Sequence, residues 1–287
     1  MTTLVSLDGR IVPPAEAQVS VFDRGFLYGD SVFEVLRTYR GALFGFEEHL
    51  ARLGRSAELA LIPFSDLELL RREILSVIAA TGNSETYIRV VVTRGTGKSL
   101  GLDPALGRAP LRAVIATDVP AMPAAMYERG ISVITYRTQR ISEGTSAVGA
   151  KLGNYLLSIL ATHEALRAGA DEALILDQRG QVVEGTTSNV FLVRDGSLVT
   201  PPDEAGLLAG ITRAKVLELA KRFGVPVELR TFAPAELFSA DEVFITSSIR
   251  ELVPVVLADG SPAGGGRPGV LTRRLLDAYR AMAMGGA

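Results

Sequence analysis

Lysine is scarce in this chain: of 30 basic side chains only Lys98, Lys151, Lys215 and Lys221 are lysine. Arginine serves wherever a permanent positive charge will do. A lysine in an apolar setting therefore asks for a chemical reason, because its amine can lose a proton and a guanidinium in practice cannot. Lys215 and Lys221 stand six apart on one predicted helix and read as solvated positions, and Lys98 lies in a glycine-flanked loop. Lys151 is different. It sits in Ala147-Val148-Gly149-Ala150-Lys151-Leu152-Gly153-Asn154-Tyr155, among small residues ahead of an amphipathic helix. Desolvation in such a place lowers the amine's pKa and makes it a nucleophile toward carbonyl compounds. The local pattern alone fits a surface lysine near a helix start better, and only the contrast with the other three singles it out.

Three polar runs are further candidates. In Glu184-Gly185-Thr186-Thr187-Ser188-Asn189 a carboxylate precedes short hydroxyl and amide side chains and then a strand. Most such runs are turns, but this one also suits a carboxylate aimed at a protonated ring nitrogen. Gly206-Leu207-Leu208-Ala209-Gly210-Ile211-Thr212-Arg213 runs into a helix whose first amides are a ready phosphate site, as those of any capped helix would be. Thr246-Ser247-Ser248 ends a predicted strand with three adjacent hydroxyls, again suited to a phosphate and again common in loops. His49 and His163 are too far apart for a zinc site by spacing and read as helix residues, so no metal is expected.

The elements that must carry these residues follow from periodicity. Leu4–Leu7 and Arg10–Val12 flank Asp8-Gly9 and predict a hairpin. Val32–Tyr39, Tyr87–Thr93 and Leu111–Thr117 read as strands, as do Ile131–Ile134, Ala173–Leu176 and Val182–Val183. Leu50, Leu53, Ala57 and Leu61 have helical spacing within Glu47–Leu61, and a second helix is expected from a Ser65 N-cap to Ala80. Further helices are expected over Asn154–Ala168, Thr212–Phe223 and Leu271–Met284. Strands interleaved irregularly with helices predict an α/β (α+β) enzyme of two domains, also the prior for 287 residues. Pro120 and Pro123 mark the division, giving a smaller domain over 1–118, a linker over 119–127 and a larger domain over 128–287.

Composition narrows the field. The net charge is −2, without a basic run, which gives no electrostatic reason to expect nucleic acid or an anionic membrane. No apolar stretch is long enough to span a bilayer, and the first residues lack the pattern of a secretion signal. Cysteine is absent, which excludes disulfides, thiolate catalysis and cysteine metal sites. The cytoplasm is the expected place of work.

The ordered set is more specific than its parts. Arg24-Gly25-Phe26-Leu27-Tyr28-Gly29-Asp30-Ser31-Val32-Phe33-Glu34, then Glu48-His49-Leu50-Ala51-Arg52-Leu53, Lys151-x-x-Asn154-Tyr155, Glu184-Gly185 and Gly210-Ile211-Thr212-Arg213 resembles the class IV aminotransferases across nearly the whole chain. The resemblance implies a fold-type IV enzyme whose larger domain binds pyridoxal 5'-phosphate. It implies that Lys151 is the Schiff-base lysine and the agent of proton transfer, that Tyr155 hydrogen-bonds the cofactor's phenolic oxygen, and that Glu184 pairs with the pyridine nitrogen. Arg52, the Ile211 and Thr212 amides and the Ser248 hydroxyl would hold the phosphate. It also implies a homodimer, in which the loop Gly95–Pro104 helps shape the neighbour's pocket.

For the substrate, the resemblance points to Tyr28, Phe33, Arg37, Tyr87 and Arg89, a set like that of the branched-chain enzymes, with Arg89 recognising a distal carboxylate. Val35 stands where those enzymes have glycine and where D-amino-acid aminotransferases commonly have valine. The D-type arginine and histidine after the Arg-Gly-Thr run are missing from Arg94–Gly101, and the threonine usual in 4-amino-4-deoxychorismate lyases is absent. The expectation is transfer between a branched-chain-like L-amino acid and a 2-oxo acid such as 2-oxoglutarate. D-amino-acid transfer is the first alternative and the lyase the second. A plain alternative for Arg89 is an ion pair with Glu34.

Overall fold

Asp8 and Gly9 both take positive φ, 49° and 87°, and turn the chain so that Leu4–Leu7 (β1) pairs antiparallel with Arg10–Val12 (β2). Glycine adopts this conformation freely and aspartate tolerates it, which is why Asp-Gly favours a hairpin. The structure is a computed structural model and describes residues 2–107, 109–138 and 147–285. The chain packs as two units, Met1–Pro120 with Thr145–Tyr155, and Ala121–Gly144 with Leu156–Ala287. The segment bearing Lys151 thus returns to the first unit.

In the first unit, Ser31–Tyr39 (β3), Ala42–Leu43 (β4), Thr86–Thr93 (β5) and Arg112–Asp118 (β6) join the hairpin in an antiparallel sheet of order β2-β1-β6-β5-β3-β4. A short helix, Arg24–Tyr28 (α1), leads into β3, and Phe46–Leu59 (α2) and Leu67–Thr81 (α3) follow it. Leu50, Leu53 and Ala57 of α2 and Leu70, Ile74 and Val77 of α3 form one core with Val32, Leu36, Ile88, Val90, Val92, Val114 and Ala116 from the sheet. Their three- and four-residue spacing on the helices and two-residue spacing on the strands are the two periods that aim side chains at one face. Leu53 is fully buried. Cutting such a side chain back to alanine costs about 2–5 kcal/mol.

Two of the helix starts that differ from the sequence expectation have a visible cause. Asp66, not Ser65, caps α3, its carboxylate accepting from the Leu69 amide at 2.8 Å; Ser65 stands one residue too early for that bond. The helix expected from Asn154 begins at Leu156, because the preceding residues are held extended along β3. The Phe33 amide donates to the Lys151 carbonyl at 3.0 Å and the Gly153 amide to the Ser31 carbonyl at 2.8 Å.

The second unit contains Ala124–Glu128 (α4), Ile131–Arg137 (β7), Leu156–Arg167 (α5), Glu172–Leu176 (β8), Val182–Gly185 (β9), Asn189–Arg194 (β10) and Ser197–Thr200 (β11). Then come Ile211–Arg222 (α6), Val227–Leu229 (β12), Glu236–Ser239 (α7), Glu242–Ser247 (β13), Glu251–Ala258 (β14), Ser261–Pro262 (β15) and Val270–Ala283 (α8). The strands form a mixed sheet of order β12-β11-β10-β13-β14-β7-β8-β9, with β15 beside β14. Strand β7 runs parallel to both β8 and β14. Every residue of β8 is buried: Leu174 and Leu176 belong to one core with Val190, Leu192 and Val243, while Ala173 and Ile175 meet Ala161 and Ala165 of α5. Burial on both faces explains why this strand reads as a continuous apolar run.

Helix α8 has Gly269 at its N-cap and no capping side chain of its own. Glu242 of β13 supplies the cap, accepting from the Leu271 amide at 2.8 Å and from the Thr272 amide and hydroxyl at 2.7 Å each. A carboxylate at a helix N-terminus satisfies open amides and favours the helix dipole. Among the described residues, no helix is long and apolar enough to cross a membrane.

Candidate active site

Lys151 is fixed through its backbone on two sides. Its amide donates to the Ser56 hydroxyl of α2 at 3.1 Å, and its carbonyl accepts from Phe33 of β3. Its Nζ lies 4.6 Å from the centroid of the Phe33 ring. The Arg89 guanidinium lies 4.2 Å from the same centroid, and the Tyr155 ring meets it edge-on at 5.1 Å and 73°. Phe33 is only 2% exposed. The first unit thus gathers Lys151, Tyr155 and Arg89 around one buried ring, and attraction of a cation to the ring face is part of what orders them.

The strand register explains the grouping. Val35 of β3 pairs opposite Arg89 of β5 and Arg37 opposite Tyr87, so Phe33, Val35 and Arg37 share one face with Tyr87 and Arg89. Arg37 turns along its own strand: its guanidinium stacks on Tyr39 at 4.3 Å and its Nε donates to the Thr38 carbonyl at 3.2 Å. Tyr28, at the end of α1, accepts from the Gly101 amide at 3.2 Å, which joins it to the Gly95–Pro104 loop. Arg24 pins that loop too, donating to the Gly101 carbonyl at 2.8 Å.

Glu34 points to the other face of β3, against α2. Arg52 donates from Nε to Glu34 Oε1 at 2.6 Å and from Nη2 to Oε2 at 2.8 Å, and His49 Nδ1 lies 2.7 Å from Oε2. Burial alone would raise the Glu34 pKa, but the hydrogen bonds and charge of Arg52, with His49, outweigh it and lower it to about 2. Burial pushes the His49 pKa down, and the charges of Arg52 and Lys151 add to that, against the raising effect of Glu34. His49 is therefore the neutral partner, donating from Nδ1 to a carboxylate that holds no proton. The ion pair between Arg89 and Glu34 does not form. Arg89 lies on the opposite face, and among the described residues it makes no ion pair.

The second unit carries the other candidates. Glu184 of β9 is 8% exposed, and its Oε2 accepts from the Leu208 amide at 3.0 Å. Asn189 of β10 donates to the Leu208 carbonyl at 2.9 Å, so one residue in the loop before α6 is held from both ends. A Cβ on Gly210 would collide with Asn189 Oδ1, which accounts for glycine at this N-cap. Helix α6 has no side-chain cap and no acid in its first turn, leaving the Ile211 and Thr212 amides for another acceptor. Thr246, paired in register with Asn189, is 2% exposed, and its hydroxyl has no hydrogen-bond partner among the described residues. Ser248 is half-buried in the turn after β13. An orphaned hydroxyl and an uncapped helix start are donors that fit a dianionic phosphate, and a buried carboxylate is an acceptor that fits a protonated ring nitrogen.

Sequence reasoning missed Ser56 and named Asn189 only as part of a polar run. Ser56 could have been found: with His49 and Arg52 it forms a polar stripe at i, i+3 and i+7 on the buried face of α2. Among the described residues, no group of three His, Asp or Glu could hold a metal ion.

Comparison with known proteins agrees across the chain. The family model described as amino-transferase class IV matches residues 31–258. A Methanocaldococcus jannaschii protein provisionally named a branched-chain-amino-acid aminotransferase is 41% identical over 280 residues, 96% of this chain and 95% of that one. A Bacillus licheniformis D-alanine aminotransferase is 34% identical over 96% of this chain and 95% of its own. The solved Escherichia coli branched-chain amino acid aminotransferase superposes with a TM-score of 0.93 at 32% identity, covering 99% of this chain and 96% of that one.

Proposed function

The chain belongs to the class IV aminotransferases, and on that footing we propose that it moves an amino group between a branched-chain-like L-amino acid and a 2-oxo acid such as 2-oxoglutarate, with pyridoxal 5'-phosphate as cofactor. The observation that carries this reading is the grouping of Lys151, Tyr155 and Arg89 around Phe33. When bound, the cofactor supplies a carbonyl that takes up the amine and a ring that accepts electrons from the substrate carbon.

The protein's own residues supply the rest. Lys151, its backbone fixed by Ser56 and Phe33, would attach the cofactor through its amine and carry the proton to and from the substrate. Tyr155 donates to the phenolic oxygen. Glu184 keeps the pyridine nitrogen protonated, and its bond to the Leu208 amide fixes its direction. Arg52, Ile211, Thr212 and Ser248 would hold the phosphate, as the family resemblance implies. Arg89, Tyr87, Arg37, Phe33 and Tyr28 shape the substrate side, with Arg89 receiving a carboxylate: a half-buried guanidinium without an acidic partner is costly until it meets one.

The name of the E. coli structure supports a branched-chain substrate. A second reading, D-amino-acid transfer, is favoured by Val35 opposite Arg89 and by the B. licheniformis relative. A panel of L- and D-amino acids with pyruvate and 2-oxoglutarate separates them: turnover of L-valine, L-leucine or L-isoleucine is expected, and turnover confined to D-amino acids overturns the first reading. The proposal includes a cytoplasmic homodimer. Phe22, Phe26, Leu100 and Leu102 are 53%, 68%, 66% and 78% exposed, an apolar area at α1 and the Gly95–Pro104 loop that a second copy would cover. A fully active monomer in sedimentation would remove the dimer.

A further inference from the structure

Glu172, the first residue of β8, is 2% exposed. A buried carboxylate must be met by donors or a cation, and here they arrive from two separate turns. From the turn between β9 and β10, the Ser188 hydroxyl donates to Glu172 Oε1 at 2.7 Å, and the Thr186 hydroxyl and Thr187 amide approach the same oxygen at 3.3 Å each. From the turn between β13 and β14, the Arg250 guanidinium pairs with Oε2 and also donates to Thr187 Oγ1 at 2.9 Å. Among the described residues, Oε2 has no hydrogen-bond partner beyond that ion pair.

Both turns are otherwise tied down. The Gly185 amide donates to the Ser188 carbonyl at 2.7 Å, and the Thr186 amide to Ala173 of β8 at 3.1 Å. The Arg250 amide donates to the Ser247 hydroxyl and its carbonyl accepts from the Tyr127 hydroxyl, each at 3.2 Å. Gly185, directly after Glu184, lies against the buried carboxylate, and a Cβ there would run into Glu172 Oε1 and Ser188 Oγ. Only glycine therefore fits between Glu184 and the turn that receives Glu172. A buried ion pair adds little to stability by itself, since apolar residues of the same volume often do as well.

We infer, given the roles proposed above for Glu184 and Ser248, that Glu172 and Arg250 are positioning residues that lock the turn after Glu184 to the turn carrying Ser248. A bound cofactor would then meet its ring-nitrogen partner and a phosphate donor at a fixed separation.

The test uses the holoenzyme and the variants Glu172→Gln, Arg250→Met, Arg250→Lys and the double variant Glu172→Gln/Arg250→Met. The readouts are the dissociation constant for pyridoxal phosphate, the pH midpoint of the bound cofactor's absorbance, kcat against KM, and Tm. Misplacing reacting groups by about an ångström costs up to ~100-fold, so each single neutralising variant should lose about tenfold in kcat with a smaller change in KM. Both should also weaken cofactor binding and displace the absorbance midpoint, while Arg250→Lys, which keeps a cation, restores much of each. If a single variant does not fold, the double variant leaves no lone buried charge and carries the same expectation. A lower Tm with cofactor affinity, midpoint and kcat unchanged overturns the inference and leaves a structural pair. A wild-type protein that gives no cofactor absorbance fails at the earlier step, the assignment of the cofactor itself.

Discussion

Glu34 and Arg52 share two hydrogen bonds, of 2.6 and 2.8 Å, at a place where Glu34 is 1% exposed. The pairing sets the guanidinium plane from below and leaves its orientation no freedom to follow a ligand. If Arg52 holds the phosphate, Arg52→Ala removes a charged hydrogen bond of about 1.5–3 kcal/mol and should raise the dissociation constant for pyridoxal phosphate tenfold or more. Titration of the apoprotein by absorbance measures it, with a melting curve to confirm that the variant is folded. An unchanged affinity places the phosphate elsewhere.

The same pair makes stability depend on acid. The Glu34 pKa falls from 4.5 to about 2 on folding, so its contribution is complete above 4.5 and is lost as pH drops from there through 2. His49 works in the same direction. Its folded pKa is depressed below 6.5, so its unfolded form takes up protons first as pH falls. The Tm gap between wild type and Glu34→Gln should be widest near neutrality and shrink between pH 4.5 and 2. A gap that is constant with pH contradicts the assignment.

Lys151 is predicted to be the attachment point of the cofactor. Borohydride reduction followed by peptide mapping should place the pyridoxyl label there, and Lys151→Ala should abolish both the label and transamination. A label on Lys98, Lys215 or Lys221 would sink the assignment.

Lys151 stands out in the sequence because the chain uses so few lysines, and a scarce residue in an apolar run shows by contrast. The hairpin at Asp8-Gly9 was legible for a related reason: a two-residue turn needs specific backbone angles that few residue pairs supply. Contacts between distant residues were not. Nothing in Val32–Tyr39 says that Glu34 meets His49 and Arg52 while Phe33 meets Lys151 and Arg89; alternation separates the two faces but does not name their partners. Glu172 begins β8 and Arg250 lies in the turn before β14, far apart in sequence; the β9–β10 turn reaches both, because Gly185 pairs with Leu174 of β8 while Asn189 pairs with Thr246 of β13. Asp66 in place of Ser65 is a one-residue matter of reach, beyond the precision of a periodic pattern.

Glu184 is predicted to hold the ring nitrogen protonated. Glu184→Gln keeps the shape and the acceptor for the Leu208 amide but loses the charge that stabilises the added proton. The cofactor should stay bound while turnover falls by orders of magnitude, because the electron sink is weakened. Near-normal turnover would refute the role.

Arg89 is predicted to decide the acceptor. Its guanidinium rests 4.2 Å from the Phe33 centroid, opposite Val35, while the Glu34 carboxylate is taken by Arg52 and His49 on the far side of β3. A ring face attracts the cation but contributes only about 0.5–2 kcal/mol, less than a carboxylate would. A substrate's second carboxylate, present in 2-oxoglutarate and absent from pyruvate, would be a stronger partner. Arg89→Leu should lower kcat/KM for 2-oxoglutarate by about tenfold to a hundredfold, the equivalent of one charged hydrogen bond, and change the value for pyruvate much less. Equal losses with both acceptors would mean that Arg89 holds Phe33 and the lysine beside it in place and reads no carboxylate. The ratio of the two losses, rather than either one alone, separates recognition from support.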